Sequence, residues 1–304
     1  GEAPDLWNVT NPEKVADVHQ GFVDAGSDII LTNSFGANAL RLKLHGDQDR
    51  VRELNVAAAR VAREVADKAG RPVVVAGSMG PTGELMAPMG TLTPEEAEKV
   101  FAEQAEALKE GGADVIWVET MSAKDEYAAA VAGAARCGLP VAATMSFDTN
   151  GRTMMGVTPE DAAAFAGSLE PALVAYGCNC GVGPATLIDT VLGMKKAAGA
   201  NDVITAKGNC GIREYRDGEI AYTGSPEIMA DYARMARDAG ARIIGGCCGT
   251  TDIHVKAMFD ALQGYEPVAA PGRDKIESAL GPIDQPLPQN PDGDDRGRRR
   301  RRRT

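Results

Sequence analysis

The chain has 304 residues, 44% hydrophobic and 25% charged, a globular composition that excludes a fibrous or wholly disordered protein. No apolar run approaches the roughly 20 residues a membrane helix needs. The net charge of −11 hides two parts: Pro291–Thr304 holds seven Arg and three Asp, a net +4, so the preceding 290 residues carry −15. An acidic body is a poor surface for nucleic acid.

In chain order, Gly1–Asn11 reads as a loop and Pro12–Ala25 as a helix. Strands are predicted over Asp28–Leu31, Val73–Ala76, Val115–Val118, Val141–Met145, Leu173–Tyr176, Val203–Ala206 and Arg242–Ile244, each followed by a helix-length, Ala-rich stretch. Asn11, Thr93, Thr158 and Ser225 each precede a Pro-Glu pair. That pattern places a capping side chain before Pro at the first helical position. Thr93 and Glu96 have capping-box spacing. Glycines 26, 70, 111, 138, 199 and 240 mark helix ends, where a left-handed turn favours Gly. The segment Asp24-Ala25-Gly26-Ser27-Asp28-Ile29-Ile30 is echoed at Asp238–Ile244, and more loosely at Glu110–Ile116.

Seven strand–helix units fit a (β/α)₈ barrel or a doubly wound sheet. The helix at Pro12–Ala25 has no strand before it, and a barrel needs eight. The expectation is therefore an α/β fold, a (β/α)₈ TIM barrel over residues 1–263 whose first strand lies upstream of Gly1. An open seven-stranded sheet is the other arrangement. Residues 264–289 contain five Pro and read as a linker or wrapping arm. Residues 290–304 read as a disordered, Arg-rich tail.

Active sites in such barrels lie at the C-terminal ends of strands. Cys178 and Cys180 end one strand, Cys210 follows the next, and Cys247 and Cys248 follow the last. The first and last of these strands flank the middle one, so Cys180, Cys247 and Cys248 can meet. Three thiolates with a fourth position open suit a catalytic zinc. Buried packing or a redox dithiol would also account for adjacent cysteines, although no Cys-x-x-Cys spacing occurs. Cys137 reads as packing, and His19, His45 and His254 read as surface or packing residues. Gly77–Gly83 matches no phosphate-binding loop.

Gly177-Cys178-Asn179-Cys180 together with Gly246-Cys247-Cys248-Gly249 resembles the signature of the homocysteine S-methyltransferases. Thr32-Asn33-Ser34-Phe35-Gly36, Gly77-Ser78-Met79-Gly80-Pro81 and Val118-Glu119-Thr120 match strand ends of that family in the same order, over roughly Gly1 to Leu262. The bacterial betaine–homocysteine enzymes are most similar. The resemblance implies a zinc barrel with Cys180, Cys247 and Cys248 as metal ligands, and no catalytic residue beyond the metal site. It makes Glu119 the partner of the homocysteine ammonium. Thr32, at a strand end, is a weaker candidate for the same substrate, and Asn179, also a substrate-site candidate, is expected chiefly to orient the loop beside Cys180. The family's acidic-glycine segment, at the end of its first strand, falls outside this sequence.

The chemistry implied is methyl transfer from an onium donor to homocysteine thiolate, giving methionine. A homocysteine thiol is largely protonated at neutral pH, and only the thiolate is a good nucleophile. Glycine betaine is the expected donor. S-methylmethionine, dimethylsulfoniopropionate or a corrinoid-bound methyl are alternatives. Trp7, Phe35 and Phe147 could offer aromatic faces to a quaternary ammonium, although Gly36 replaces a tyrosine of the animal betaine enzymes. The run Arg298–Arg303 admits a different class, a nucleic-acid-binding protein; a solvated tail on an acidic barrel is the reading preferred here. The expected setting is cytoplasmic, without a membrane partner and with a homo-oligomer possible.

Overall fold

In the computed structural model, which describes residues 3–216 and 219–283, strand and helix alternate along the chain. Helices α1 (Trp7–Thr10) and α2 (Pro12–Asp24) lead into β1 (Ile29–Leu31). Helices α3 (Ala39–Leu42) and α4 (Val51–Asp67) precede β2 (Val74–Met79). The pattern continues through α5 (Pro94–Gly111), β3 (Val115–Met121), α6 (Lys124–Ala135), β4 (Val141–Met145), α7 (Pro159–Ala166), β5 (Ala175–Cys180), α8 (Pro184–Ala197) and β6 (Ile204–Gly208). An antiparallel hairpin, β7 (Arg213–Arg216) and β8 (Glu219–Tyr222), intervenes before α9 (Pro226–Asp238), β9 (Ala241–Gly246), α10 (Asp252–Leu262) and α11 (Arg273–Leu280).

Three of the four predicted caps form. The Thr93 hydroxyl accepts from the Glu96 N–H while the Glu96 carboxylate accepts from the Thr93 N–H. Thr158 and Ser225 accept from the N–H groups of Asp161 and Ile228. Asn11 makes no cap: its amide donates to the Thr10 hydroxyl instead. The three echoed segments end their helices alike, with Gly26, Gly112 and Gly240 at φ of 105°, 104° and 100°. The turn expected at Gly111 therefore belongs to Gly112. Gly111 is needed for another reason, because a Cβ there would lie 2.6 Å from Ala59 Cβ and from the Val56 carbonyl of α4. Gly199 carries no left-handed turn: α8 is followed by Ala198 in extended conformation.

Seven strands pair in parallel in the order β1-β2-β3-β4-β5-β6-β9, giving a (β/α)₈-type barrel short of one strand. The inward face packs around Trp117, with Ala76, Ala142, Ala175 and Ile243 from other strands. The outward face packs against the helices through residues such as Ile116, Val118, Phe101, Leu108 and Tyr232. Both faces are therefore buried, as the apolar strand sequences require. Between β1 and β9, each with one edge unpaired among the described residues, opens a cleft of 1080 Å³ that reaches Cys247. His19 Nε2, Trp117 Nε1 and Thr250 Oγ1 all belong to residues lining it and lack hydrogen-bond partners.

Strand boundaries differ from expectation mainly at β5, which starts and ends later than Leu173–Tyr176, so Cys178 and Cys180 lie within it. The β7–β8 hairpin was not anticipated. The stretch from residue 264 is not irregular throughout: α11 packs on α8 and α9 and buries Ile276 and Leu280. The Arg-rich tail lies outside the described residues. No helix among those described is long and apolar enough to cross a membrane.

Two stability measurements follow from these contacts. A left-handed non-Gly residue costs about 1–2 kcal/mol, so Gly112→Ala, where the neighbour is the flexible Arg63 side chain at 3.2 Å, should lower the urea unfolding free energy by about that much. Gly26→Ala should lower it further, because its Cβ would fall 2.5 Å from the Phe259 ring. Burial holds the His19 imidazole neutral, its pKa lowered to about 4. The unfolded chain therefore binds the extra proton between about pH 6.5 and 4, and stability should fall through that window as pH drops, by up to about 1.4 kcal/mol per pH unit. His19→Leu should flatten that part of the melting-temperature profile.

Candidate metal and substrate site

The site begins with strand register. Cys180, the last residue of β5, pairs with Gly208 of β6, and Gly208 pairs with Gly246 of β9. Three adjacent strands thus end level, and the chain leaving β9 carries Cys247 and Cys248 over the end of β6. The Cys247 N–H donates to the Gly208 carbonyl at 2.7 Å, and the Cys210 N–H donates to the Cys248 carbonyl at 2.9 Å. Asn209 ties the two cysteine loops together: its Nδ2 donates to the Gly181 carbonyl at 2.8 Å and its Oδ1 accepts from the Cys248 N–H at 3.1 Å. The tight turn after Cys248 depends on Gly249, at φ 76°, where a Cβ would strike the Tyr222 ring at 2.4 Å.

These constraints bring the Sγ atoms of Cys180, Cys247 and Cys248 within 4.8 Å of one another, the only such trio of metal-ligating side chains among the described residues. Cys180 and Cys248 sulfurs are 3.8 Å apart. Tetrahedral zinc–thiolate bonds of about 2.3 Å place sulfurs about 3.8 Å apart, so the trio fits a metal with little movement. Cys180 and Cys247 are half-buried and Cys248 is exposed, which leaves the outer side open to a further ligand. Hydrogen bonding with Cys247 and Cys248 pushes the Cys180 thiol far up, with burial adding to the effect. Hydrogen bonds from Cys180 and then Cys247 hold the Cys248 thiol well below its usual range, with further help from Tyr222. Thiols so close repel as anions, and a cation held between them would relieve that repulsion.

Cys178 and Cys210 stay out of the cluster. Cys178 is fully buried, and burial pushes its thiol up. The Cys210 sulfur faces the Gly224 carbonyl. Cys137 is buried away from the site.

Asn179, a substrate-site candidate expected chiefly to orient its loop, has a fully engaged carboxamide: Oδ1 accepts from the Thr120 N–H and the Thr144 hydroxyl, and Nδ2 donates to the Thr120 hydroxyl and, at 3.8 Å, to Cys247 Sγ. It orients a sulfur and clamps Thr120. Thr120 and Cys180 both have left-handed backbones, at φ 65° and 62°, and such strain persists only where neighbours hold it. Thr32 lines the cleft, but its hydroxyl accepts from the Ser78 N–H and bonds Ser34 Oγ at 2.6 Å.

Glu119 points inward from β3, yet it is not bare. Oε2 accepts from Lys207 Nζ at 2.6 Å and Oε1 from the Ser78 hydroxyl at 2.6 Å. Lys207 also lies over the Trp117 ring, 5.4 Å from its centre. The three aromatics considered for a donor pocket do not converge. Trp7 lines the cleft with Lys14 already over its ring at 5.3 Å. Phe147 is buried, Phe35 packs against Gly80, and neither lines the cleft.

Sequence reasoning missed Lys207, Asn209 and Tyr222. Lys207 had a visible signal, a lone cation in the apolar strand Ile204-Thr205-Ala206-Lys207-Gly208. Asn209 follows a strand end beside Cys210, a weaker cue. Tyr222 had none, because the hairpin that carries it was not foreseen.

A sequence model of the homocysteine S-methyltransferase family matches residues 2–262. The homocysteine methyltransferase MmuM from Escherichia coli, in a metallated form, superposes with a TM-score of 0.68 and 25% identity, covering 86% of this chain and 90% of its own. Methionine synthases of Mycobacterium tuberculosis and Mycobacterium leprae are each 30% identical over 269 residues, 85% of this chain. The chain spans only 22% of the length of those two relatives. With the family model covering most of the chain and the barrel and thiol cluster in place, the chain belongs to the homocysteine S-methyltransferase family.

Proposed function

We propose that this protein is a zinc enzyme that moves a methyl group from an onium donor, glycine betaine first among the candidates, to homocysteine, giving methionine. The observation that carries the proposal is the convergence of Cys180, Cys247 and Cys248 at the mouth of the barrel. Bound zinc would supply Lewis acidity that keeps the homocysteine sulfur deprotonated at neutral pH. The three cysteines would hold the ion. The Asn179 amide, which donates to Cys247, and Tyr222, which lowers Cys248, temper the charge on the sulfurs. Asn209 keeps the two cysteine loops in register.

The homocysteine sulfur attacks the donor methyl carbon. An S–C bond forms, the C–N bond breaks, and its electron pair leaves on the amine, here dimethylglycine. No general base is needed once the thiol is ionised. For a cationic donor, Trp7 is one of the aromatic residues lining the cleft, and Lys14 already rests on its ring. The thiolate ligands suit a reducing setting, in keeping with a cytoplasmic enzyme. The match to methionine synthases many times longer than this chain supports a second reading, in which the methyl group arrives on another domain or protein.

Elemental analysis should find close to one zinc per chain. Cys248→Ser should lose it or bind it much more weakly, while Asn209→Ala should keep the fold and weaken zinc about 10–100-fold in a chelator competition, as loss of a supporting contact does. A folded, reduced wild type without zinc affinity would overturn the metal assignment. With zinc and homocysteine present, trideuteromethyl-labelled betaine should yield labelled methionine by mass spectrometry. Label transfer from S-methylmethionine or dimethylsulfoniopropionate alone would replace betaine as donor, and transfer only from a methylated corrinoid would favour the second reading.

A further inference from the structure

We infer that Lys207 holds the α-carboxylate of the amino-acid thiol, so that the buried Glu119–Lys207 pair is a clamp that opens to receive a zwitterion. The inference deepens the homocysteine reading and rests on it.

Four observations converge. The pair is buried, each side chain about one-tenth exposed, with Nζ and Oε2 2.6 Å apart. Lys207 lines the cleft together with Cys247, whereas Glu119 does not. The cleft therefore presents a cation, and the carboxylate stands behind it. Lys207 lies one residue below Gly208, whose carbonyl receives the Cys247 N–H. Its register partner Asn179 donates to Cys247 Sγ. The ammonium is thus placed just beneath the sulfur layer, and homocysteine separates its sulfur from its α-carbon by two methylenes.

The electrostatics favour exchange. An ion pair in a low-dielectric interior tolerates neither partner alone, because an unpaired buried charge is strongly unfavourable. A zwitterion satisfies both at once, its ammonium on Glu119 and its carboxylate on Lys207. The interior stays neutral before and after. The Ser78 hydroxyl on Oε1 and the Trp117 ring under Nζ keep each group in place while the pair opens. A thiol that lacks the carboxylate would bind Glu119 and leave Lys207 stranded. The clamp therefore selects amino-acid thiols over simple ones.

Calorimetric titration of the zinc-loaded full chain with three thiols tests this: L-homocysteine, 3-aminopropane-1-thiol (no carboxylate) and 4-mercaptobutanoate (no ammonium). Wild type should bind homocysteine about 30-fold or more tightly than 3-aminopropane-1-thiol, as expected when a buried charge loses its partner. Lys207→Met should bind those two within about threefold of each other, and Lys207→Arg should restore most of the preference. Because Lys207→Met strands Glu119, the charge-free double variant Glu119→Gln/Lys207→Met is the folding-safe companion; it should bind all three thiols within about threefold. A wild type that ignores the carboxylate, or either Met variant that keeps the full preference for it, overturns the clamp while leaving homocysteine binding intact. A zinc-loaded wild type that binds no thiol overturns the homocysteine reading and the clamp together.

Discussion

The whole site depends on one constraint, the parallel register that ends β5, β6 and β9 at the same height. Cys180, Gly208 and Gly246 stand side by side because the ladders β5–β6 and β6–β9 place them there. A slip of one residue on β5 would exchange the faces of Asn179 and Cys180 and part Cys180 from Gly208, its partner at the end of β6. Three sulfurs within 4.8 Å are therefore a property of the sheet before they are a property of the cysteines. The glycines serve the same end. A Cβ at Gly177 would meet the Thr205 carbonyl of β6 at 2.0 Å, so the close approach of the two strands requires that position bare.

Around that frame, two carboxamides do the positioning. Asn209 bridges the loops that follow β5 and β9, and Asn179 holds a sulfur on one side and Thr120 on the other. Each engages both its oxygen and its nitrogen, so neither is replaceable by a hydroxyl or an apolar side chain without orphaning a buried group. The left-handed Thr120 and Cys180 flank Asn179 on adjacent parts of the mouth. Backbone strain here is held by side-chain hydrogen bonds, which is where strain in enzymes commonly resides.

The interior chemistry and the seam belong to one picture. The cleft between β1 and β9 exposes Lys207 and Cys247 together and contains three polar atoms without partners. Below the sulfur layer the barrel is apolar, filled by Trp117 and small residues. The charged pair Glu119–Lys207 thus lies at the boundary between a dry core and the mouth, where charge–charge interactions are stronger than in water.

Much of this was legible in the sequence. Short β-rich runs between Ala-rich helix-length stretches, Pro-marked helix starts and the Gly-ended repeats are local signals, and they placed all seven sheet strands to within a few residues. The convergence of Cys180 with Cys247 and Cys248 was readable too, since strand order in a parallel barrel follows chain order. Local signals were silent elsewhere. Trp7, in the entry loop, and Phe35 and Phe147, at strand ends, stand in different environments: Trp7 lines the cleft, and the other two do not. Glu119 read as a partner for a substrate ammonium, but nothing in its own segment announces Lys207, 88 residues later. Asn179 read as orienting its loop, but its partners Thr120, Thr144 and Cys247 lie on other segments of the chain and could not be named from its own. The sequence by itself determined which elements form and which residues reach the strand ends, because those depend on short-range pattern. Only the tertiary structure decided which side chains neutralise, cap or orient one another, because hydrogen bonds and ion pairs form between strands far apart in the chain and are set by distance in space.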